Sequence, residues 1–197
     1  VSLLHAFVFY GFVYYLLVNL VDFLEGFFGL HARGGIWNAY NIVADLLTFL
    51  ILVGILGLML RRYLLAPRDF TWNPNVPLHE KARAGIARDS AIVGAFIAFH
   101  VGSRLLSKAF QLAGEGPDPF QPVASALAGA LSGLPPALLT FGEHFFWWGA
   151  LGSILLFLPY FPRSKHIHLF MAPINLAFRK EVPGALTPLD FEKEEEK

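Results

Sequence analysis

The stretch FFWWGALGSILLFLPYF, residues 145–161, decides the fold, because it carries no charged side chain. With its flanks it is long enough to cross the ~30 Å hydrocarbon core of a bilayer. Four basic side chains follow directly in PRSKHIHLFMAPIN, residues 162–175: Arg163, Lys165, His166 and His168. Histidine at a membrane-helix end is a good ligand for haem iron, and nearby cations suit haem propionates. This junction predicts a membrane-embedded electron carrier.

Composition supports the same class. The chain has 197 residues, of which 55% are hydrophobic and 15% charged, and its mean hydropathy is +0.53. These values indicate a polytopic helical membrane protein. The net charge of zero gives no electrostatic reason to expect nucleic acid. The absence of cysteine excludes disulfides and iron–sulfur clusters within this chain, so a redox centre here needs His or Met ligands.

The apolar segments predict an all-α transmembrane bundle. Four segments reach the ~20 residues that a spanning helix needs, and they cover about residues 2–30, 37–65, 90–113 and 138–161. A short helix is expected from Val123 to Leu131, in the Gly/Pro-rich connection before the last span. Segment 164–180 either lies along the interface or extends the fourth span, and Pro173 disfavours a long straight helix there.

The distribution of Lys and Arg predicts the orientation. Six cations lie between the second and third spans: Arg61, Arg62, Arg68, Lys81, Arg83 and Arg88. Four follow the last span: Arg163, Lys165, Arg179 and Lys180. The two opposite connections contain only Arg33 as a cation. By the positive-inside rule, the first N-terminal residues, the 61–88 connection and the C-terminal tail are expected on the cytoplasmic side.

Histidines near one membrane surface are the first candidate ligands. His5 lies about one turn into the first span, and His166 and His168 lie at the exit of the fourth, on the same side. Two helices can thus bring two axial ligands to one haem, with only one of the His166/His168 pair needed. The alternative is that these imidazoles only hydrogen-bond at the interface.

Two further histidines lie deeper in the predicted spans. His100 is about halfway along the third span, and His144 is about one and a half turns into the fourth. They are candidate ligands of a second, outer haem. The alternatives are polar groups satisfied by Ser, Glu143 or water, or a quinone pocket.

Two charged residues are placed where burial is costly, which makes each a functional candidate. Arg104 follows His100 by one turn, and Asp45 lies at a similar depth on the second span. One expectation is that they pair with each other. The other is that Arg104 binds a haem propionate, while Asp45 serves proton uptake or quinone binding. A structural ion pair is an equal alternative. Asp22 and Glu25, near the end of the first span, are expected to be solvated.

Four stretches carry a family resemblance: LLHAFVFYGF (3–12), LMLRRYLLAPRDF (58–70), LPYFPRSKHIHLFMAPIN (158–175) and GALTPLDFEKEEE (184–196). The chain resembles the membrane domain of the respiratory nitrate reductase gamma-subunit family, which binds haem b. It is more similar to the N-terminal membrane domain of fused Fe–S oxidoreductases related to heterodisulfide reductase and to electron-transfer-flavoprotein:menaquinone oxidoreductases.

The resemblance implies specific cofactor residues. His5 corresponds to the first-span ligand of the cytoplasm-proximal haem b, and His168 corresponds to its partner. The family's outer-haem ligand positions are occupied here by Tyr15 and Ala150, so the outer haem is either lost or held by His100 and His144. The quinone candidates are Asp45, His100, Arg104 and Tyr15, with menaquinone or ubiquinone as the partner molecule.

The resemblance also implies the surroundings of the chain. It predicts a location in a prokaryotic cytoplasmic membrane. It also predicts a cytoplasmic domain or subunit with two [4Fe–4S] clusters. Residues 181–197 would form a charged linker that leads to it. The family's preceding helix and cluster cysteines are absent, which suggests a truncated chain or a split gene. The expected function is electron transfer between those clusters and the quinone pool.

Two other functions compete with electron transfer. A haem-free membrane anchor that docks a soluble redox enzyme would make His5 dispensable. A transporter fragment is disfavoured, because the sequence has no internal symmetry and few polar residues at mid-depth. Nucleotide-binding glycine motifs and a Ser–His–Asp arrangement are absent from the sequence, which argues against soluble-enzyme chemistry.

Overall fold

The computed structural model describes residues 2–29, 34–65, 77 and 79–179. This part of the chain contains six α-helices: α1 (Ser2–Phe28), α2 (Gly35–Leu60), α3 (Glu80–Glu115), α4 (Pro122–Leu131), α5 (Pro136–Phe157) and α6 (His168–Ala177). No strand occurs among these residues. The predicted all-α fold is confirmed, and so is the short helix expected near residues 123–131. The predicted linker 181–197 lies outside the described residues.

Within the described ranges, three helices are long and apolar enough to cross a membrane: Leu3–Phe28, Gly35–Leu65 and Gly85–Glu115. The second includes a π-helical turn, Arg61–Leu65, that continues α2. Helix α5 has 22 residues, or ~33 Å at 1.5 Å per residue. Its first half is less apolar because it contains Glu143 and His144. The length of α5 is therefore what supports a fourth span, and this span stays a prediction.

Helix α3 begins earlier than its apolar segment. The prediction placed its start at residue 90, whereas the helix begins at Glu80 and runs for 36 residues. Its first turns read EKARAGIARD. This stretch contains strong helix-forming residues, but its charged residues give it too low a hydropathy to be included in the predicted span. The His79 side chain accepts a hydrogen bond from the Lys81 amide at 3.2 Å, which caps this end. Several cations assigned to a connection therefore lie on a helix.

Glycines let the helices approach each other closely. A Cβ added at Gly54 on α2 would stand 2.8 Å from the Leu4 carbonyl oxygen on α1. A Cβ at Gly142 on α5 would collide with the Phe110 ring on α3. Both positions need glycine because the neighbouring atoms occupy the space of a side chain, and small residues commonly mark helix contacts in membranes.

The bundle has an apolar exterior as well as an apolar core. The core is centred on Tyr15, Val18 and Ile51, with Val18 fully buried. Large side chains on the outer faces stay exposed; examples are Leu20, Phe49, Phe99, Phe145 and Leu156. Exposed apolar surface on this scale is the pattern of a lipid-facing bundle.

The chain changes direction after α5. A turn at residues 158–160 is followed by two short 3₁₀ segments, Phe161–Arg163 and Lys165–Ile167, with Ser164 extended between them. The alternative that segment 164–180 extends the fourth helix is therefore wrong. Helix α6 follows as a separate ten-residue helix that contains Pro173. We call the end of the bundle that carries α4 the α4 end, and the opposite end, with α6, the α6 end.

Candidate histidine-lined cavities

Two cavities lie side by side in the bundle. The basic cavity, at the α6 end, has a volume of about 250 Å³, and the central cavity, deeper in the bundle, also measures about 250 Å³. Four residues line both: Val8, Phe12, Ile97 and His166. The two spaces therefore meet along one shared wall, and His166 belongs to that wall.

The basic cavity brings together the histidines predicted to share a haem. His5 from α1 and His166 and His168 from the segment after α5 all line it. Arg62 and Lys165 line it as well and make it the cationic one of the two. His5 and His168 are exposed at its rim, whereas His166 is buried.

Hydrogen bonding prepares His168 to bind through Nε2. Its Nδ1 lies 2.6 Å from the Lys165 carbonyl oxygen. Because a carbonyl oxygen only accepts, Nδ1 carries the proton and donates to it, which in the neutral ring leaves Nε2 with a free lone pair. Metal-binding histidines usually donate their second N–H to such a carbonyl.

His166 is the most buried ionisable group at the α6 end. Its residue is 5% exposed, and its Nε2 has no hydrogen-bond partner within the described part of the chain. Burial, and after it the neighbouring His168, lower the pKa of His166 to about 4. A neutral imidazole is the form that ligates iron. The sequence favoured His168 over His166, and it gave no signal that His166 is the buried one of the two.

A small polar cluster fixes this segment to α3. The Asp89 carboxylate accepts a hydrogen bond from the Tyr160 hydroxyl at 2.5 Å and from the Lys165 amide at 3.0 Å. The Lys165 ammonium group contacts the Ser90 hydroxyl. These bonds set the position of the turn that carries His166 and His168. Asp89 was not singled out from the sequence.

The central cavity is an aromatic pocket with few polar groups. Five phenylalanines line it: Phe12, Phe96, Phe157, Phe161 and Phe170. Its polar side chains are Tyr15, Asn19, His100 and His166. Such a pocket, apolar with a few converging polar groups, is the usual form of a cofactor or small-molecule site.

His100 is held from its Nδ1 side. Nδ1 lies 3.0 Å from the Ala150 carbonyl oxygen and 3.3 Å from Ser153 Oγ, both on α5. His100 is 6% exposed, and its Nε2 has no hydrogen-bond partner among the described residues. His100 thus shares the arrangement of His168: a fixed Nδ1 and an available Nε2.

The predicted pair of His100 and His144 is not brought together. His144 is exposed and lines none of the cavities described above. Six residues separate it from Ala150, the residue that His100 contacts. That separation is ~9 Å along α5 and about 120° around it. The structure therefore does not support a haem between these two side chains.

The predicted pairing of Asp45 with Arg104 is wrong. Arg104 binds the Asp22 carboxylate with two bonds, Nε to Oδ2 at 2.6 Å and a terminal nitrogen to Oδ1 at 3.2 Å. Its guanidinium also lies 5.7 Å from the centre of the Tyr15 ring. Asp22, expected to be solvated, is therefore the partner of a buried cation. A weaker contact one turn further on, Lys108 to Glu25 at 3.8 Å, repeats the pairing of α3 with α1.

Asp45 caps a neighbouring helix. Its carboxylate accepts hydrogen bonds from the Val123 amide at 2.6 Å and the Ala124 amide at 3.1 Å, at the start of α4. The residue is 4% exposed. These bonds satisfy amides that a helix start otherwise leaves without partners. Asp45 lines neither the basic nor the central cavity, so its contacts are structural.

The described side chains offer single imidazoles and no chelating cluster. No group of three or more His, Asp or Glu side chains in the described part of the chain is arranged to hold a metal ion. A haem supplies four ligands itself and needs only one or two axial imidazoles. His5, His166 and His168, which line the basic cavity, are the imidazoles that could serve in this way.

Fold and cavities together define a helical membrane protein with histidine-lined apolar pockets. The chain is similar to the "Probable iron-sulfur-binding oxidoreductase FadF" of Bacillus subtilis, with 30% identity over 98% of this chain. It is also similar to the "EtfAB:quinone oxidoreductase" of Syntrophomonas wolfei, with 27% identity over 92% of this chain. Both relatives are named as oxidoreductases, and the first is named as iron-sulfur-binding.

The similarity covers only part of each relative. The chain spans about a quarter of their length, 26% and 25% respectively. No family model matches the chain, and no solved structure matches it. The apolar helices and these relatives fit a membrane component of an electron-transfer oxidoreductase.

Proposed function

We propose that this chain is the membrane electron-transfer module of a respiratory oxidoreductase, connecting Fe–S clusters in a partner domain or subunit to the membrane quinone pool. The observation that carries the proposal is the basic cavity, where three imidazoles converge between helices. One relative is named an iron-sulfur-binding oxidoreductase and another a quinone oxidoreductase. Because the described chain contains no cysteine, clusters belong to the partner.

His5 and His168 are the proposed axial ligands of a b-type haem in the basic cavity. They face it from α1 and from the segment after α5, and the Lys165 carbonyl sets the tautomer of His168. His166 is the alternative to His168, because it is more buried and has a free Nε2. Arg62 and Lys165 offer positive charge for propionates. A bound haem supplies one-electron chemistry, and the chain's residues supply spacing, ligand orientation and exclusion of water.

The central cavity is the proposed quinone site. His100 and Tyr15, two of the four candidates, line it, whereas Arg104 and Asp45 do not. Arg104 is bonded to Asp22, and Asp45 is bonded to the start of α4, so we assign structural roles to both. Tyr15 and Ala150, which stand where the related family has outer-haem ligands, both contact His100: the rings of Tyr15 and His100 are 6.0 Å apart, and the Ala150 oxygen bonds its Nδ1. A quinone ring would thus occupy the place of the second haem.

The test is the haem content of the purified protein. We expect one haem per chain by pyridine haemochrome, and a low-spin b-type spectrum in the dithionite-reduced minus air-oxidised difference. His5→Ala and His168→Ala should each remove most of that haem, while the matched control His144→Ala should retain it.

The variants also separate the competing assignments. Retention of haem in His168→Ala with loss in His166→Ala would transfer the axial position to His166. A folded wild-type protein without haem would overturn the electron-carrier proposal and favour an anchor that docks a soluble redox enzyme.

A further inference from the structure

Two imidazoles that line the central cavity each have an Nε2 without a hydrogen-bond partner among the residues that the structure describes. They belong to His100 and His166, and these residues are 6% and 5% exposed. A buried polar atom that is left unpaired destabilises the protein. Two such atoms around one pocket indicate that a ligand completes their bonding.

The fixed side of His100 decides which ligand atom its free side can meet. The Ala150 carbonyl can only accept, so His100 Nδ1 donates to it across 3.0 Å. In the neutral ring, Nε2 then offers only a lone pair. A ligand oxygen that meets Nε2 must therefore carry a hydrogen. A carbonyl oxygen placed there would oppose one lone pair with another.

The two imidazoles stand at different levels of the cavity. The His166 ring lies 5.1 Å from the Phe12 ring, and the His100 ring lies 6.0 Å from the Tyr15 ring. Phe12 and Tyr15 are three residues apart on α1, about one helical turn or ~4.5 Å of rise. The free nitrogens thus suit a ligand with polar atoms at two opposite ends.

The walls between these levels suit a flat ring. Phe96 and Phe157 stack on each other with centroids 4.0 Å apart and planes 5° from parallel. Phe96 also stacks against His100 at 5.8 Å, and Phe157 meets His166 edge-on at 5.8 Å. Aromatic faces and edges of this kind pack well against another planar ring.

We infer that the central cavity binds the reduced, para-hydroquinone form of the quinone headgroup, with one hydroxyl donating to His100 Nε2 and the opposite hydroxyl bonded to His166 Nε2. The inference rests on the proposed function for the identity of the membrane substrate, and it adds the redox form and the hydrogen bonding. A hydroxyl both donates and accepts, so the second one suits either tautomer of His166. The oxidised headgroup has only acceptor oxygens and loses the bond to His100.

The experiment compares the two redox forms of one probe. Dissociation constants for 1,4-naphthoquinol, kept reduced under anaerobic conditions, and for 1,4-naphthoquinone are measured by calorimetry on the full chain in detergent. The quinol should bind about tenfold more tightly, the scale of one hydrogen bond. His100→Ala and His166→Ala should each weaken quinol binding about tenfold, and His144→Ala, the exposed control, should not change it.

Haem per chain is measured on the same samples, which separates this inference from the proposed function. Unchanged haem with weakened quinol binding supports the inference. Loss of haem in His100→Ala or His166→Ala overturns it, because that imidazole then ligates iron. A wild-type protein that lacks haem but prefers quinol supports it, although the electron-carrier proposal fails. Equal affinity for both redox forms, or tighter binding of the quinone, overturns it.

A second variant keeps the test valid if His100→Ala fails to fold. His100→Gln places an amide near the headgroup that can donate as well as accept. It should therefore bring the affinities for quinol and quinone close together. An unchanged preference for the quinol in His100→Gln would overturn the assignment to His100.

Discussion

The charged groups at the α4 end and the histidines near the α6 end are satisfied in opposite ways. At the α4 end, Arg104 is bound by Asp22 through two hydrogen bonds, and Asp45 is bound by two amides of α4. In the two cavities, His100 and His166 each retain a buried nitrogen without a partner in the part of the chain that the structure describes. Buried polar groups that the protein satisfies stabilise its architecture, whereas those it leaves open are available to a ligand.

This difference predicts that substitutions in the two regions change the free energy of unfolding in opposite directions. Removing a partner at the α4 end should destabilise the protein, and replacing an open imidazole by an apolar side chain should not.

The largest effect is expected from Asp22→Ala. The substitution leaves the Arg104 guanidinium, a residue 8% exposed, without its carboxylate, and breaking a buried pair in this way costs ~3–5 kcal/mol. The free energy of unfolding in detergent should fall by that amount. Lys108→Ala is the matched control, because its contact with Glu25 is longer, at 3.8 Å, and its side chain is more exposed than that of Arg104, 25% against 9%. The loss in Lys108→Ala should therefore stay within ~1 kcal/mol. Equal losses in the two variants would contradict the assignment.

Asp45→Ala should have the next largest effect. It leaves the Val123 and Ala124 amides without their acceptor, at a cost of ~1–3 kcal/mol. The loss should be local, so amide hydrogen exchange should accelerate in α4 and remain slow in α5. Asp45→Asn, which retains one acceptor oxygen, should lose less than Asp45→Ala. Exchange that accelerates equally in both helices would contradict a local cap.

The smallest effect, with the opposite sign, is expected from His166→Leu in protein without haem or quinone. The substitution removes a buried nitrogen that has no partner among the described residues, and it retains most of the side-chain volume. The free energy of unfolding should therefore stay constant or rise by up to ~1 kcal/mol. Thermal unfolding of the ligand-free protein measures this, with the exposed His144→Leu as a control near zero. A clear loss of stability would show that His166 has a structural partner.

Hydropathy predicted the helices well but not their pairing. The first two spans and α4 follow directly from apolar periodicity and turn residues. The pairing of Asp22 with Arg104 depends on the register of α1 against α3, which no local pattern contains. One signal was present: two acidic residues on α1, Asp22 and Glu25, and two basic residues on α3, Arg104 and Lys108, are each spaced by about one helical turn.

The depth of each histidine along its helix could be predicted from the sequence, but the direction in which its side chain faces could not. Depth correctly brought His5 and His168 to one cavity. It failed for His144, because a residue at a suitable depth can still face away from its intended partner. His166 was ranked below His168, although His166 is the buried one of the two. The orientation of His166 depends on the extended backbone of Ser164, and the sequence does not reveal that bend.

The cap on α4 has a consequence for the order of assembly. With ten residues, α4 is shorter than the ~12–15 residues below which isolated helices are marginal in water. Its acceptor, Asp45, lies 78 and 79 residues earlier in the chain than the two amides it binds. During synthesis α2 emerges before α4, and α4 gains its cap only once it reaches the Asp45 carboxylate. We expect α4 to be the last of the helices at its end of the bundle to fold, and its formation to report that α2 and α3 have already docked.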